Sequence, residues 1–267
     1  MNRRRFGYLT FHAIAVYAFL FAPILVLVVF SFNAARSGTT WTGFSTRWYA
    51  ELAGDDAVRR AFGNTLKVAL ASTVLATLLG TLAAFALARH RFRGRRVYSA
   101  LVLVSLVAPE IVMGIALLVF FRRIVDVPLG LGTVVLAHVT FCLAFVIVVV
   151  RARLARFDES LSEAAADLGA TPVQTFLRVV LPLAAPGILG GALLAFVISL
   201  DDVIITFFTS GPGSTTLPLY ILGEVRRGVS PSINALSSIV LVSSLGVLAV
   251  AALIAARAAR RGDRSVA

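Results

Sequence analysis

Glu110 in VAPEIVMG, His138 in LAHVTF and the adjacent pair Asp201 and Asp202 in AFVISLDDVIITFF stand inside runs that are otherwise apolar. A carboxylate in such surroundings costs several kcal/mol unless it is paired, hydrogen-bonded or protonated. Three roles offset that cost: neutralising a passing cation, relaying protons, or bonding neighbouring helices. His138, a lone histidine on an apolar run, reads as a helix-to-helix hydrogen bond as readily as a substrate contact. Successive helical residues point about 100° apart, so at least one of Asp201 and Asp202 is expected to face a passage while the other caps or pairs elsewhere. Pro109 removes a backbone donor and kinks its helix, and Gly114 follows within about a turn, which turns Glu110 toward a cavity. Phe207, Phe208, Phe120 and Phe121 could supply aromatic walls, or simply pack.

Enzyme chemistry finds no comparable support. The chain has no HExxH, no G-x-S-x-G and no cysteine–histidine pair that stands out, so no catalytic residue and no metal site are assigned. Cys142 is the single cysteine, which excludes an intrachain disulfide. Lys67, the only lysine, lacks the preceding glycines of a phosphate-cradling loop, so ATP hydrolysis by this chain is not expected.

These side chains are positioned by membrane helices. Of 267 residues, 59% are hydrophobic and 14% charged, with a mean hydropathy of +0.92. Soluble chains carry about 25% charged residues, so an all-α integral membrane protein is expected. Spans of roughly 20 apolar residues fall at about 11–32, 65–88, 97–121, 131–150, 184–208 and 233–256. The first, following MNRRRF and preceding FNAARSG, also resembles a signal peptide, but its apolar part exceeds the usual 7–15 residues. The net charge of +12 is carried by arginines flanking apolar runs, which indicates topology rather than nucleic acid. Sixteen basic residues fall on the side of both termini and of the 89–96 and 151–183 loops, against nine on the other, so that side is expected to be cytoplasmic. On the helical rise, Glu110, Asp201 and His138 fall in a similar layer of the outer half of the bilayer. Ser72, Ala76, Gly80, Ala84 and Ala88 recur every four residues, as do Gly187, Gly191 and Ala195, marking close helix contacts unless alanine is merely abundant.

The loop 151–183 is too patterned to be a plain connection. Ser160 with Glu163 can form a capping box, Gly169 suits a helix end, and Thr171, Pro172 and Gln174 restart a helix that Leu181-Pro182 ends near the bilayer. Val173, Phe176, Leu177 and Val180 at helical spacing suggest a docking knob, or an amphipathic helix lying on lipid.

The string Glu163-Ala164-Ala165, then Gly169, then Val179-Val180-Leu181-Pro182 resembles the EAA loop of ABC-importer permeases, with Val179 where isoleucine is usual. With VVFSFN, SLDDVIITFFTSGPGSTTLPLYI and SPSINALSS, the resemblance extends over nearly the whole chain to the PotC-type permeases of spermidine/putrescine importers. It is weakest in the first external loop, 33–64, and in the C-terminal tail. The resemblance implies a single permease domain with six transmembrane helices of the type I ABC-importer fold and a cytoplasmic coupling-helix loop. It implies Glu163, Ala164, Ala165, Gly169, Pro172, Leu181 and Pro182 as the ATPase coupling site, and a substrate pathway through Glu110, Asp201, Asp202, His138, Phe207 and Phe208. No cofactor is expected in this chain, with ATP and Mg bound by a partner ATPase. The implied partners are a homologous permease in a heterodimer, two copies of a cytoplasmic ATP-binding subunit, an external substrate-binding protein and a small cationic substrate. The implied location is the bacterial inner membrane, multi-pass. Thiamine, iron or opine-like substrates, and an ATP-independent proton-coupled transporter, stay open as alternatives.

Overall fold

A computed structural model of the chain describes residues 3–35, 40–90, 92–155, 157–158, 160–228 and 230–264; side chains are described from Thr10 onward, except at 247, 248 and 250–264. Arg36, Arg91 and Arg156, counted among the topology-setting arginines, lie outside the described residues. The elements are helical throughout: α1 (Arg3–Phe30), α2 (Arg47–Gly54), α3 (Asp56–Arg89), α4 (Arg95–Val107), α5 (Glu110–Val119), α6 (Leu131–Leu154), α7 (Ser160–Asp167), α8 (Pro172–Thr175), α9 (Leu181–Asp201), α10 (Ile204–Thr209), α11 (Leu217–Arg227) and α12 (Pro231–Arg264).

Among the described residues, four helical stretches are long and apolar enough to cross a membrane: Thr10–Phe30, Asp56–Arg89, Leu131–Leu154 and Pro172–Asp201. A bent pair, Arg95–Val107 with Glu110–Ile124, forms a fifth candidate, and Pro231–Gly246 is a shorter apolar stretch within α12.

Three breaks differ from the expected spans, each with a local cause. The segment drawn as one span over 97–121 bends by 114° between α4 and α5. Ala108, next to a proline ring that crowds its helical conformation, is extended with ψ 135°, and Pro109 follows with ψ 131°. The span drawn over 184–208 ends at Asp201, because Asp202 is extended with ψ 130° and a short new helix begins at Ile204. In the opposite sense, Leu181-Pro182 does not end the preceding helix: α8 passes through a π-helical turn at Phe176–Val180 straight into α9. The wider turn accommodates a proline that lacks an N–H and crowds the carbonyl four residues earlier.

The chain packs as two compact units. The first comprises Met1–Arg59 with Tyr220–Leu245. Its connection from α1 to α2 is held by Asn33, whose Nδ2 donates to the Thr40 carbonyl at 2.7 Å and whose carbonyl accepts from the Trp48 indole at 2.7 Å. Phe32 stacks between Phe44 and Tyr49 with centroids 5.3 and 5.2 Å away. Within the segment where the resemblance is weakest, the described residues around Asn33 are thus tied to Thr40 and Trp48 by hydrogen bonds. No residue of the apolar stretch Thr10–Phe30 is buried within the chain, and lipid or another subunit must cover it.

The second unit comprises Arg60–Leu219 with Gly246–Ala267, and α6 is its centre. Cys142, Val146 and Val150 on α6 pack against Ala76 and Ala84 of α3 and Ala195 of α9. The small-residue stripes face this contact: Ser72, Ala76, Gly80, Ala84, Gly187, Gly191 and Ala195 are buried, whereas Ala88 is exposed. At Gly80 an added Cβ would lie 2.8 Å from Val146, so the approach of α3 to α6 requires the missing side chain.

The loop after α10 is braced from both sides. Asn64 Nδ2 donates to the carbonyls of Gly213 and Thr215 at 2.9 and 3.0 Å, and the Leu217 N–H donates to Thr65 Oγ1 at 2.7 Å. Gly211 sits directly against backbone, where an added Cβ would be 2.0 Å from the Leu129 carbonyl oxygen. Gly211→Ala is therefore expected to destabilise by about 1–3 kcal/mol through forced displacement of the 128–130 loop. Thermal unfolding of the detergent-solubilised chain measures this, and an unchanged midpoint would show that the loop yields freely.

Candidate functional site

The acidic residues occupy the two helix breaks, and the structure gives them different roles. Asp202 is turned inward, its side chain only 5% exposed. Its Oδ2 accepts from the Thr206 backbone N–H and from the Thr206 hydroxyl, both at 2.8 Å, and Oδ1 accepts from the Ile205 N–H at 3.3 Å. These bonds satisfy the opening N–H groups of α10 and explain why the chain leaves the α9 helix here: a short acidic side chain competes with the backbone for its own donors.

His138 on α6 joins the same cluster. Its side chain is 2% exposed, with Nε2 3.2 Å from Asp202 Oδ2 and 2.9 Å from Thr206 Oγ1. Nδ1 lies 2.7 Å from Ser199 Oγ, and Ser199 is in turn 2.9 Å from Ser72 Oγ on α3. With the imidazole neutral, one proton arrangement connects these side chains, at the expense of the 3.3 Å bond from the Ser72 hydroxyl to the Ala69 carbonyl. Ser72 donates to Ser199, Ser199 to His138 Nδ1, His138 Nε2–H to Asp202 and Thr206, and Thr206 to Asp202. The network ties α3, α6, α9 and α10 together around the break. His138 thus stands as a buried link between helices, with no exposed face toward a passage in this chain.

Glu110 and Asp201 are exposed. Glu110 opens α5 immediately after the bend, and Asp201 and Asp202 are close enough to interact with it electrostatically. The breaks are adjacent because α5 and α10 pack together: at Gly114 an added Cβ would lie 2.6 Å from the Phe208 ring. Phe208 is therefore a packing residue, stacked edge-on with the exposed Phe207 at 5.2 Å. Phe121 is buried against Ala137, Phe141 and Ile205, whereas Phe120 is exposed. The arrangement offers two unburied carboxylates at adjacent helix breaks, beside a buried polar network centred on Asp202 and His138.

Ser199, Thr206 and Ser72 were not singled out as polar partners from sequence. The available signal was spacing, since Thr206 stands four residues after Asp202 and Ser199 three before it. Their meeting with His138, 61 and 68 residues away along the chain, had none.

The coupling-loop residues cluster at the other end of the unit. Glu163, Ala164 and Ala165 lie on α7, and Gly169 ends it with φ +82°. The Gly169 N–H donates to the Ala166 carbonyl at 2.9 Å and the Ala170 N–H to Ala165 at 3.0 Å, a Schellman turn that demands the left-handed residue. The expected capping box of α8 is formed, with the Thr171 N–H donating to Gln174 Oε1 at 2.9 Å and the Gln174 N–H to Thr171 Oγ1 at 3.3 Å, and Pro172 is its first residue. The start of α7 differs: Ser160 is already helical, and its N–H donates to Asp158 Oδ1 at 3.0 Å. Hydrogen bonds from the Ser160 hydroxyl and N–H hold the Asp158 carboxyl below the usual range. Of the four apolar residues read as a knob, Phe176 packs edge-on to Phe85 at 5.0 Å and Val180 is buried, while Val173 is 66% exposed and Leu177 53%. Leu168, 89% exposed at the turn, joins the outward face. Leu181 and Pro182 begin α9, the helix that ends at the Asp201–Asp202 break.

Residues 76–262 match the family model for the binding-protein-dependent transport system inner membrane component. The chain belongs to this family of transport permeases. The permease is 44% identical over 257 residues to the putrescine transport system permease protein PotI of Escherichia coli (strain K12), covering 94% of this chain and 91% of that protein. It is 43% identical over 259 residues to the spermidine/putrescine transport system permease protein PotC of the same organism, covering 97% and 96%. Its fold matches a chain of a bacterial alginate ABC transporter in complex with an alginate pentasaccharide-bound periplasmic protein, with a TM-score of 0.72, 17% identity and coverage of 97% and 95%. The all-helical type I importer permease fold and a multi-pass membrane location follow.

Proposed function

We propose that this permease is one membrane-spanning half of an ATP-driven importer of polyamines. The observation that carries the substrate class is near full-length identity of 43–44% to two permeases named for putrescine and spermidine/putrescine transport. The chemistry agrees with it. A polyamine carries ammonium groups separated by short methylene chains, so the exposed Glu110 and Asp201 compensate charge while Phe207 and Phe120 cover methylenes and offer cation–π contact. In this reading the chain pairs with a homologous permease, with both termini and the α7–α8 loop in the cytoplasm. Two copies of an ATPase subunit bind ATP and Mg and dock on the outward face of α7–α8, and an external binding protein delivers the substrate.

The test is uptake of labelled spermidine and putrescine by bacteria lacking their own polyamine importers and expressing the chain with its partner subunits. Saturable uptake that depends on this chain is expected; none, with all subunits present in the membrane, overturns the substrate class. Gly169→Val, which places a β-branched residue at φ +82° at a cost of about 1–3 kcal/mol of local strain, is expected to lower uptake and substrate-stimulated ATP hydrolysis together at matched membrane levels. Unchanged values of both would remove the coupling role of the loop.

A further inference from the structure

A cavity of about 370 Å³ at one membrane boundary of the second unit is lined by Arg89, Arg95 and Arg151, with Leu154 and Phe157 beside them. The three arginines come from three different spans at the same end: Arg89 closes α3, Arg95 opens α4 and Arg151 lies in the last turn of α6. Among the described residues no carboxylate lies within ion-pair distance of any of them. Arg89 donates to Ser162 Oγ at 3.2 Å and lies 5.1 Å over the Phe157 ring, neither of which is an anion. The first turn of α4 adds to the positive field, having no acidic residue, two arginines and a glycine N-cap without a side-chain acceptor. Three like charges gathered in one cavity repel one another unless an anion joins them. Guanidinium groups match phosphate oxygens in geometry as well as charge.

We infer that this cavity binds an anionic phosphate group, supplied by a phospholipid headgroup at the membrane surface. Its position favours lipid over a soluble ion. The arginines stand where apolar spans end, the level of the headgroups, and Leu154 and Phe157 give an apolar rim for the glycerol and upper acyl chain. Occupancy also reaches the coupling loop, because Arg89 contacts Ser162 on α7.

The experiment places the full-length chain in nanodiscs of phosphatidylcholine with a graded fraction of phosphatidylglycerol, and measures association of spin-labelled phosphatidylglycerol relative to labelled phosphatidylcholine. The variants are Arg95→Gln/Arg151→Gln, Arg95→Lys/Arg151→Lys, and a charge-matched control, Arg122→Gln/Arg123→Gln, outside the cavity. The wild type and the control are expected to prefer phosphatidylglycerol, and the glutamine pair to lose about fivefold in that preference per arginine, from roughly 1 kcal/mol per basic residue near anionic lipid. The lysine pair, which keeps the charge without the forked geometry, is expected to fall between them, and it carries the test if the glutamine pair does not fold. An equal preference in all four proteins, or an equal loss in the control, overturns the site. Saturable binding of radiolabelled inorganic phosphate in pure phosphatidylcholine discs, lost in the glutamine pair and unaccompanied by any lipid preference, overturns the lipid source. None of these readouts requires transport, so they stand or fall separately from the polyamine reading.

Discussion

Asp202→Ala is expected to destabilise the permease by about 3 kcal/mol or more, from leaving several buried donors without their acceptor at about 1–3 kcal/mol each, while Asp202→Asn costs much less. Alanine strips the first-turn donors of α10 and the His138 Nε2–H of their acceptor, in a place where water cannot replace it. Asparagine can set its oxygen where Oδ2 stands, keeping the bonds from the Thr206 N–H, the Thr206 hydroxyl and His138. Only the 3.3 Å contact from Ile205 then faces an amide NH2. The check is thermal unfolding in detergent by fluorescence-detected size exclusion, with both variants beside wild type. Equal losses for alanine and asparagine, or a wild-type midpoint for alanine, would show that the network does not hold the helix break.

Neutralising the exposed pair should have the opposite signature. Glu110→Gln with Asp201→Asn is expected to leave the unfolding midpoint within experimental scatter, because both side chains are exposed and neither has a hydrogen bond or ion pair to another side chain among the described residues. Uptake should fall by about thirtyfold to several hundredfold at matched membrane levels, with each carboxylate contributing on the order of 1–2 kcal/mol to a passing ammonium group in a partly solvated passage. The loss should be greater for spermidine than for putrescine, since a triamine has more charge to compensate. Near-normal uptake of both would remove these carboxylates from the polyamine path and leave the Asp202 network as the only assigned role for acids at this level.

The sequence marked most of what local physics decides. Thr171, Pro172 and Gln174 start a helix wherever they stand, because the capping box is closed within four residues. Gly169 stops one for the same local reason, a left-handed residue completing two backbone bonds. Pro109 foretold a kink, but not its 114° size, because a proline fixes only its own φ and its neighbour's range while packing sets the angle. The run 184–208 read as one span because leucine, isoleucine and phenylalanine resume directly on both sides of Asp201-Asp202. The competing hydrogen bonds of Asp202 to Ile205 and Thr206 ended the helix instead.

What the sequence by itself determined is the medium, the approximate spans, the family and the helix–turn–helix of the 151–183 loop, all of which follow from composition, short-range spacing or a motif. What only the tertiary structure decided is which acid is buried. Asp201 and Asp202 are neighbours with equally apolar flanks, yet one faces His138 and the other is exposed. In a soluble helix, polar and apolar faces announce inside and outside. In a membrane helix lipid and protein interior are equally apolar, so the sequence carries no stripe to show which way a residue points, and the answer comes from the helices that pack against it.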